Sequence, residues 1–456
     1  MKQLILSALI LLSICQLTYG QWPVFPSAQQ QEQPFQKIYP FFDNEAYGDL
    51  LFTQQDGYII SGVGKKDKFY LFLIKTDFAG DTIWTRDIDL GLTMLGSCYG
   101  TSDDEGNLYI SIYKQLVKID TDGNLVWTKS FGSFIENIRF SDNILWSSVK
   151  GTYLYKINPV TGDSLWRSNS FAGPDYTTTS LDVNSSGDVM MTVSHINGYT
   201  FQLHASELYL LNHTSDSVIS IPFNSGVDIV ILDTKYIDGA YYGIGRKQVL
   251  MGSNPGSYLI KYTSEGTVLN IHVLTFPYSV SGLDKMHFNN NELVFLGGAI
   301  ETNQSSGKVL LHCRSLEGDS LWTTINGLES ETIGWDFDVT GDGGYIISGS
   351  NFPGFYSVPC LLKTNSLGLI TGLTPGHKIG DKVSIYPNPS SGVITLQTKD
   401  YLGGILTISS LTGQTMHETQ ITSEKTILSA ENYPAGIYLY SLRKNNITNT
   451  GKVVIQ

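Results

Sequence analysis

The chain has 456 residues, 41% of them hydrophobic and 16% charged, with a formal net charge of −13. That is too long for one ordinary core, so two or more domains are expected. The acidic balance repels phosphate backbones and argues against nucleic acid as a partner.

Residues 1–20 read as a secretory signal peptide. Met1 and Lys2 give a charged start, Leu4 to Leu12 an apolar run, and Thr18 and Gly20 small residues at −3 and −1 of a cut before Gln21. The apolar run falls short of the roughly 20 residues a membrane-spanning helix needs. A competing reading makes Leu12-Ser13-Ile14-Cys15 a lipoprotein box, but the large, branched Ile14 is a poor neighbour for a lipidated Cys15. No later stretch is apolar for long enough to cross a bilayer, so no transmembrane segment is expected. Loss of Lys2 with the signal takes the net charge from −13 to −14. Cys98, Cys313 and Cys360 then remain, an odd number for an oxidising compartment. Their apolar surroundings favour buried free thiols, with a Cys313–Cys360 disulfide between adjacent repeats as the alternative.

After an N-terminal segment over 21–35, residues 36–372 repeat one pattern. It opens with a turn and a strand, as in Asp56-Gly57-Tyr58-Ile59-Ile60-Ser61-Gly62. A second strand follows (Tyr70-Leu71-Phe72-Leu73-Ile74-Lys75-Thr76), then an acidic or Gly turn and a third strand ending in Trp (Asp81-Thr82-Ile83-Trp84). Trp127, Trp166 and Trp322 close three further copies. The fourth and fifth copies lack the Trp, and the seventh opens at Asp342-Gly343-Gly344-Tyr345 and fades at Gly368-Leu369-Ile370. Seven copies, spaced roughly 40 to 53 residues apart and built of short strands and Gly/Asp turns, predict an all-β chain with a seven-bladed β-propeller. In this wording the region resembles the pyrroloquinoline-quinone-like (PQQ-like) and WD-like propeller repeats, a resemblance that implies fold and not activity.

Residues 373–382 read as a linker in which Pro, Gly and charge break the strand pattern. Residues 383–456 then predict a small Ig-like β-sandwich of about seven short strands, with Pro and Gly fixing the turns. Tyr386-Pro387-Asn388-Pro389 with Gly392, a turn at Gly413, then Pro434, Gly436 and Tyr438, and a last strand opening at Lys452 come in that order. These blocks resemble the type A C-terminal sorting domain of the Bacteroidetes type IX secretion system. Ser410 departs from the pattern, since that family usually has Asp three residues before the turn Gly. The resemblance implies recognition by the type IX machinery and passage through the periplasm to secretion or the outer-membrane cell surface.

No motif carries chemistry. The eight His form no ligand spacing, and no nucleophile elbow, phosphate loop or Cys/His pair is present. Asp120-Thr121-Asp122-Gly123-Asn124 is similar to the start of a calcium loop but lacks its later Glu. It sits at an ordinary repeat turn, and Asp336 and Asp338 with Asp342 form a comparable group. Neither catalytic nor cofactor-binding nor metal-binding residues are therefore assigned. Asp-Ser/Thr-aliphatic triplets begin at Asp81, Asp163, Asp216 and Asp319 and resemble Bacteroidetes O-glycosylation acceptors; the repeat's own turn also explains them. Most aromatics belong to the strand repeats and to packing. Trp335, Tyr176, Tyr199 and Phe201 lie outside them and are candidates for an exposed face. The expectation is a non-catalytic scaffold binding protein or glycan through one end of the propeller. A secreted polysaccharide-degrading enzyme or quinone-dependent dehydrogenase is the alternative, because a propeller can gather a site from several blades without a local motif.

Overall fold

The computed structural model describes residues 33–42, 45–150, 153–173, 175–195, 206–212, 217–226, 229–247, 256–276, 279–300, 307–354, 356–370, 384–386, 390, 392–398, 401–410, 414–430, 432–444 and 447–455. The signal peptide, the linker, Tyr199, Phe201, Pro387, Asn388, Pro389 and Gly413 lie outside these. The chain divides into two compact units, Met1–Ile370 and Thr371–Gln456. Among the described residues every regular element is a strand.

The first unit holds seven antiparallel sheets, six four-stranded and one five-stranded. Their innermost strands are Leu50–Gln54, Cys98–Ser102, Ile135–Ser141, Tyr176–Val183, Ile229–Ile237, Ser279–Asn289 and Glu331–Val339. Each contacts the next, and the last contacts the first, so the sheets close a ring as blades 1 to 7. Each repeat seen in the sequence covers the second, third and fourth strands of a blade, and the inner strand precedes it. The seventh copy fades because its outer strand comes from elsewhere. Phe35–Ile38 pairs antiparallel with Val358–Thr364, Phe35 opposite Lys363, and closes blade 7 with the start of the propeller.

The repeat's residues have physical roles. At described turns after the third strand, a capping residue accepts from the chain that follows. Asp77 Oδ1 takes the amides of Ala79 and Asp81 at 2.9 and 2.8 Å, Asp120 Oδ1 those of Asp122 and Asn124, and Asn365 Oδ1 those of Leu367 and Leu369. A left-handed Gly completes the turn: Gly80, Gly123, Gly162 and Gly368 have φ of 76°, 82°, 72° and 68°. A Cβ on Gly123 would stand 2.7 Å from the Trp84 ring, and one on Gly368 2.6 Å from Trp322. The outer-strand Trp of one blade thus lies over the turn Gly of the next, and Phe35 covers Gly80 in the same way across the closure. The third-strand lysines lie over aromatic rings, Lys156 over Trp146 and Trp166, Lys118 over Tyr109. The interfaces between blades are apolar, as in the cluster of Val294, Leu296, Leu311, Phe337, Ile347 and Leu362. Cys98, Cys313 and Cys360 are buried and free, so the Cys313–Cys360 disulfide does not form.

The second unit is a sandwich of a three-stranded sheet (Ser384–Tyr386, Val393–Gln397, Lys425–Ser429) and a four-stranded one (Thr415–Gln420, Ile405–Ser410, Gly436–Lys444, Ile447–Ile455). Ile394, Leu396, Leu406, Leu428, Leu442 and Val453 fill its core.

Candidate ligand-binding channel

The seven inner strands enclose a cavity of about 740 Å³. Register against the second strands aligns the wall into two levels. Leu50, Tyr99, Asn137, Ser180, Asp233, Lys285 and Asp336 form the upper level, and Phe52, Thr101, Arg139, Asp182, Lys235, His287 and Asp338 the lower. The intervening Leu51, Ile138, Leu181, Thr234, Met286 and Phe337 are buried between blades. All charge in these levels comes from blades 3 to 7, and blades 1 and 2 supply the uncharged Leu50, Phe52, Tyr99 and Thr101.

Backbone irregularity aims these side chains. Five inner strands carry a bulge just before the upper level, at Ile135/Asn137, Thr178/Ser180, Ile231/Asp233, Leu283/Lys285 and Gly334/Asp336. Where the bulged backbone crowds the second strand, that strand carries Gly. A Cβ would meet the Val230 carbonyl at 2.6 Å from Gly245, the Gly282 carbonyl at 2.1 Å from Gly297 and the Ile333 carbonyl at 2.2 Å from Gly349.

The inner-strand acids join neighbouring blades. Asp182 Oδ2 accepts from the Tyr236 amide at 2.7 Å and Asp233 Oδ2 from that of Met286 at 3.0 Å. Asp336 Oδ2 accepts from the Leu51 amide at 3.1 Å, and Asp338 Oδ2 from the Thr53 hydroxyl at 2.6 Å. Glu136 does the same for the Thr178 amide and Thr177 hydroxyl. Such bonds satisfy inner-strand amides that no ladder partner reaches.

Withdrawal from water sets the electrostatics. It pushes the Asp336 and Asp338 carboxyls up from their ordinary value. Asp49, at the mouth, is pushed up to about 7 by burial against the pull of hydrogen bonds from Cys98, with the nearby Asp336 charge adding to the rise. Burial would lift Asp233 too, but Lys235, Lys285 and Arg139 outweigh it and hold the carboxyl low. His287 is driven down to about 3 by burial and then by the Lys235 charge, although its Nδ1 lies 3.8 Å from Asp338 Oδ1.

Around the mouth stand Tyr47, Trp335 and Tyr99, with Arg246 and Asp284 3.9 Å apart. Trp335 is 36% exposed, its ring meets Tyr47 edge-on at 6.4 Å, and its Nε1 donates to Ser350 Oγ at 2.9 Å. Of the aromatics singled out in the sequence, Trp335 belongs to the channel, and Tyr176 packs on His195 in blade 4. Asp336 and Asp338 line the channel, but Asp342 does not join them: its carboxylate holds the fully buried Lys363 at 3.0 Å and the Gly344 amide. Sequence reading passed over Asp49, Arg139, Asp233, Lys235, Lys285 and His287, since each inner strand lies outside the repeat. In blades 5, 6 and 7 the second-strand Gly245, Gly297 and Gly349 mark the bulge beside which the channel residue sits, whereas blades 3 and 4 carry Val149 and Val193 there.

In the second unit, several segments expected to carry the sorting signal lie against the last strand. The Ser390 amide donates to the Val454 carbonyl at 2.8 Å, and Ser390 bridges Ile455. In the last ladder Gly436 stands opposite Ile455, Tyr438 opposite Val453 and Leu439 opposite Lys452. Gly392, at φ 138°, accepts the Ala430 amide on its carbonyl at 2.6 Å. The Tyr438 hydroxyl donates to the Pro434 carbonyl at 2.7 Å, and Tyr386 lies on the first strand. Ser410 Oγ accepts the Gln414 amide at 3.2 Å, a turn-capping bond that an Asp carboxylate makes equally well.

Fold and site define an all-β protein in which a seven-bladed propeller is followed by a small β-sandwich domain. Residues 384–456 match the family described as the secretion system C-terminal sorting domain, and residues 74–209 match the repeat family described as outer membrane protein assembly factor BamB. Two solved structures are similar at low identity. BamB from Moraxella catarrhalis is 11% identical over 73% of this chain and 97% of its own, with a TM-score of 0.42. U3-55K is 10% identical over 72% and 98%, with a TM-score of 0.49. No curated protein matches the chain. The C-terminal unit is a type IX sorting domain, which directs export to the cell surface or beyond it, and no helix among the described residues is long and apolar enough to cross a membrane.

Proposed function

We propose that the exported propeller is a binding protein that takes a glycan into its channel without turning it over. The observation that carries this reading is the division of labour in the wall. Trp335, Tyr47 and Tyr99 offer aromatic surface at the mouth, on which a sugar ring can stack. Asp182, Asp233, Asp336 and Asp338 are meanwhile bonded to the neighbouring blade rather than held free as an acid–base pair. The Tyr386, Pro387, Asn388, Pro389, Gly392, Gly413, Pro434, Gly436, Tyr438 and Lys452 set addresses the chain to the type IX machinery in this proposal. The test is a glycan array with the mature chain, residues 21–456, run beside a hydrolysis screen on the same polymers. Binding that Trp335→Ala weakens, without release of product, is the expected outcome.

One observation favours a second reading, a secreted polysaccharide-cleaving enzyme. Asp49 faces the cavity with its carboxyl poised near neutrality, where a general acid works best. Turnover in the hydrolysis screen that Asp49→Asn abolishes would replace the binding reading with this one.

A further inference from the structure

We infer that the channel receives an anionic group of its ligand, a carboxylate, sulfate or phosphate, at Lys235 and Lys285 with Arg139 beside them. The inference deepens the proposed binding role and rests on the channel being the ligand site.

The argument compares what the two signs of charge already do. The four acids of the two levels each accept a hydrogen bond from the next blade. The cations act on these acids only at longer range, where they hold Asp233 low. Among the described residues, neither the Lys235 nor the Lys285 ammonium has a hydrogen bond or an ion pair, and both side chains are half-buried in the wall. Arg139 donates only through Nε, to the Leu181 carbonyl at 3.2 Å, with Asp182 Oδ1 at 3.9 Å. An ammonium drawn out of water without a partner is costly, and an incoming anion removes that cost. The acids repel an anion less than their number suggests, because backbone amides and the Thr53 hydroxyl already disperse their charge. Burial chiefly keeps His287 neutral, and the Lys235, Arg139 and Lys285 charges add to it against the pull of Asp233. Opposite them, the exposed Tyr99 offers an uncharged surface for the ligand's body, with Leu50 and Phe52 buried behind it between blades 1 and 2.

Calorimetric titration of the mature chain with matched probes tests this: tri-galacturonate against neutral galactotriose, a sulfated against a desulfated disaccharide, and inorganic sulfate. The charged member of each pair should bind at least about tenfold tighter, with an advantage that falls as salt rises. Lys285→Gln and Lys235→Gln should each cost about tenfold on the charged probe and nothing on the neutral one. Lys285→Arg should retain binding, and thermal unfolding checks that the variants fold. Bound sulfate should also raise the His287 pKa, followed by NMR, which a purely structural lysine would not produce. Equal affinity for charged and neutral partners, or charged-probe affinity unmoved in both Gln variants, overturns the inference while leaving glycan binding intact. Lysine-dependent sulfate binding without any glycan binding overturns the glycan reading and upholds the anion site.

Discussion

At the scale of single residues, the channel carboxylates have two separable jobs. Asp233 is nearly buried and serves the Met286 amide, so Asp233→Ala strands a buried donor and should lower unfolding free energy by about 1–3 kcal/mol. Asp284→Ala removes only a side chain 55% exposed and 3.9 Å from Arg246, and should change it by about 0.5 kcal/mol or less. Urea denaturation of the two variants checks the contrast. Asp49 makes a pH prediction. Its folded-state pKa, about 7, lies above the ordinary 3.8, so the fold keeps a proton that the unfolded chain releases. Stability from this group is therefore fully present at low pH and declines as pH rises towards 7, by up to about 1.4 kcal/mol per unit. Asp49→Asn should flatten the decline between about pH 4 and 7; an unchanged slope would assign it to another group.

At the scale of elements, the contact of Trp on Gly between blades is the recurring unit. Gly123→Ala places a Cβ 2.7 Å from Trp84 at a φ of 82°, and should cost about 2 kcal/mol or more. Gly341→Ala, with nothing within 4 Å and no unusual φ, should be close to neutral, and paired thermal unfolding measures the difference. These elements were legible in the sequence because each follows from local chemistry. The capping Asp, the turn Gly, the Trp and the third-strand Lys recur in linear order, and the two sheets of the sorting domain follow from its alternating strands. The inner strands were not legible. Their side chains answer to the channel and to the next blade rather than to a shared local need, so Asn137, Ser180, Asp233 and Lys285 occupy one register with nothing in common. The bulge also breaks the alternation that reveals a strand. Thus Trp335, Asp336 and Asp338 were noticed as aromatic and acidic residues, but what assembles them is three-dimensional.

At the scale of the whole molecule, the sorting domain and the propeller are different units. A chain ending at residue 370 keeps every blade and loses the sorting domain, so it should accumulate inside the cell while its purified propeller binds ligand as the mature chain does. Immunoblots of cell and medium fractions follow the first outcome and calorimetry the second. Appearance of the truncated chain outside the cell would refute the sorting assignment. The closure of blade 7 also imposes an order on biosynthesis. Phe35–Ile38 is among the first parts of the mature chain to be made, but its partner, Val358–Thr364, is among the last of the propeller. A nascent chain therefore holds open edges at both ends of an incomplete ring until that late strand emerges. The sorting domain begins only afterwards, at residue 384. A ribosome that stalls within the propeller leaves a product without an address, and any chain that bears the address already contains the strands needed to close the ring.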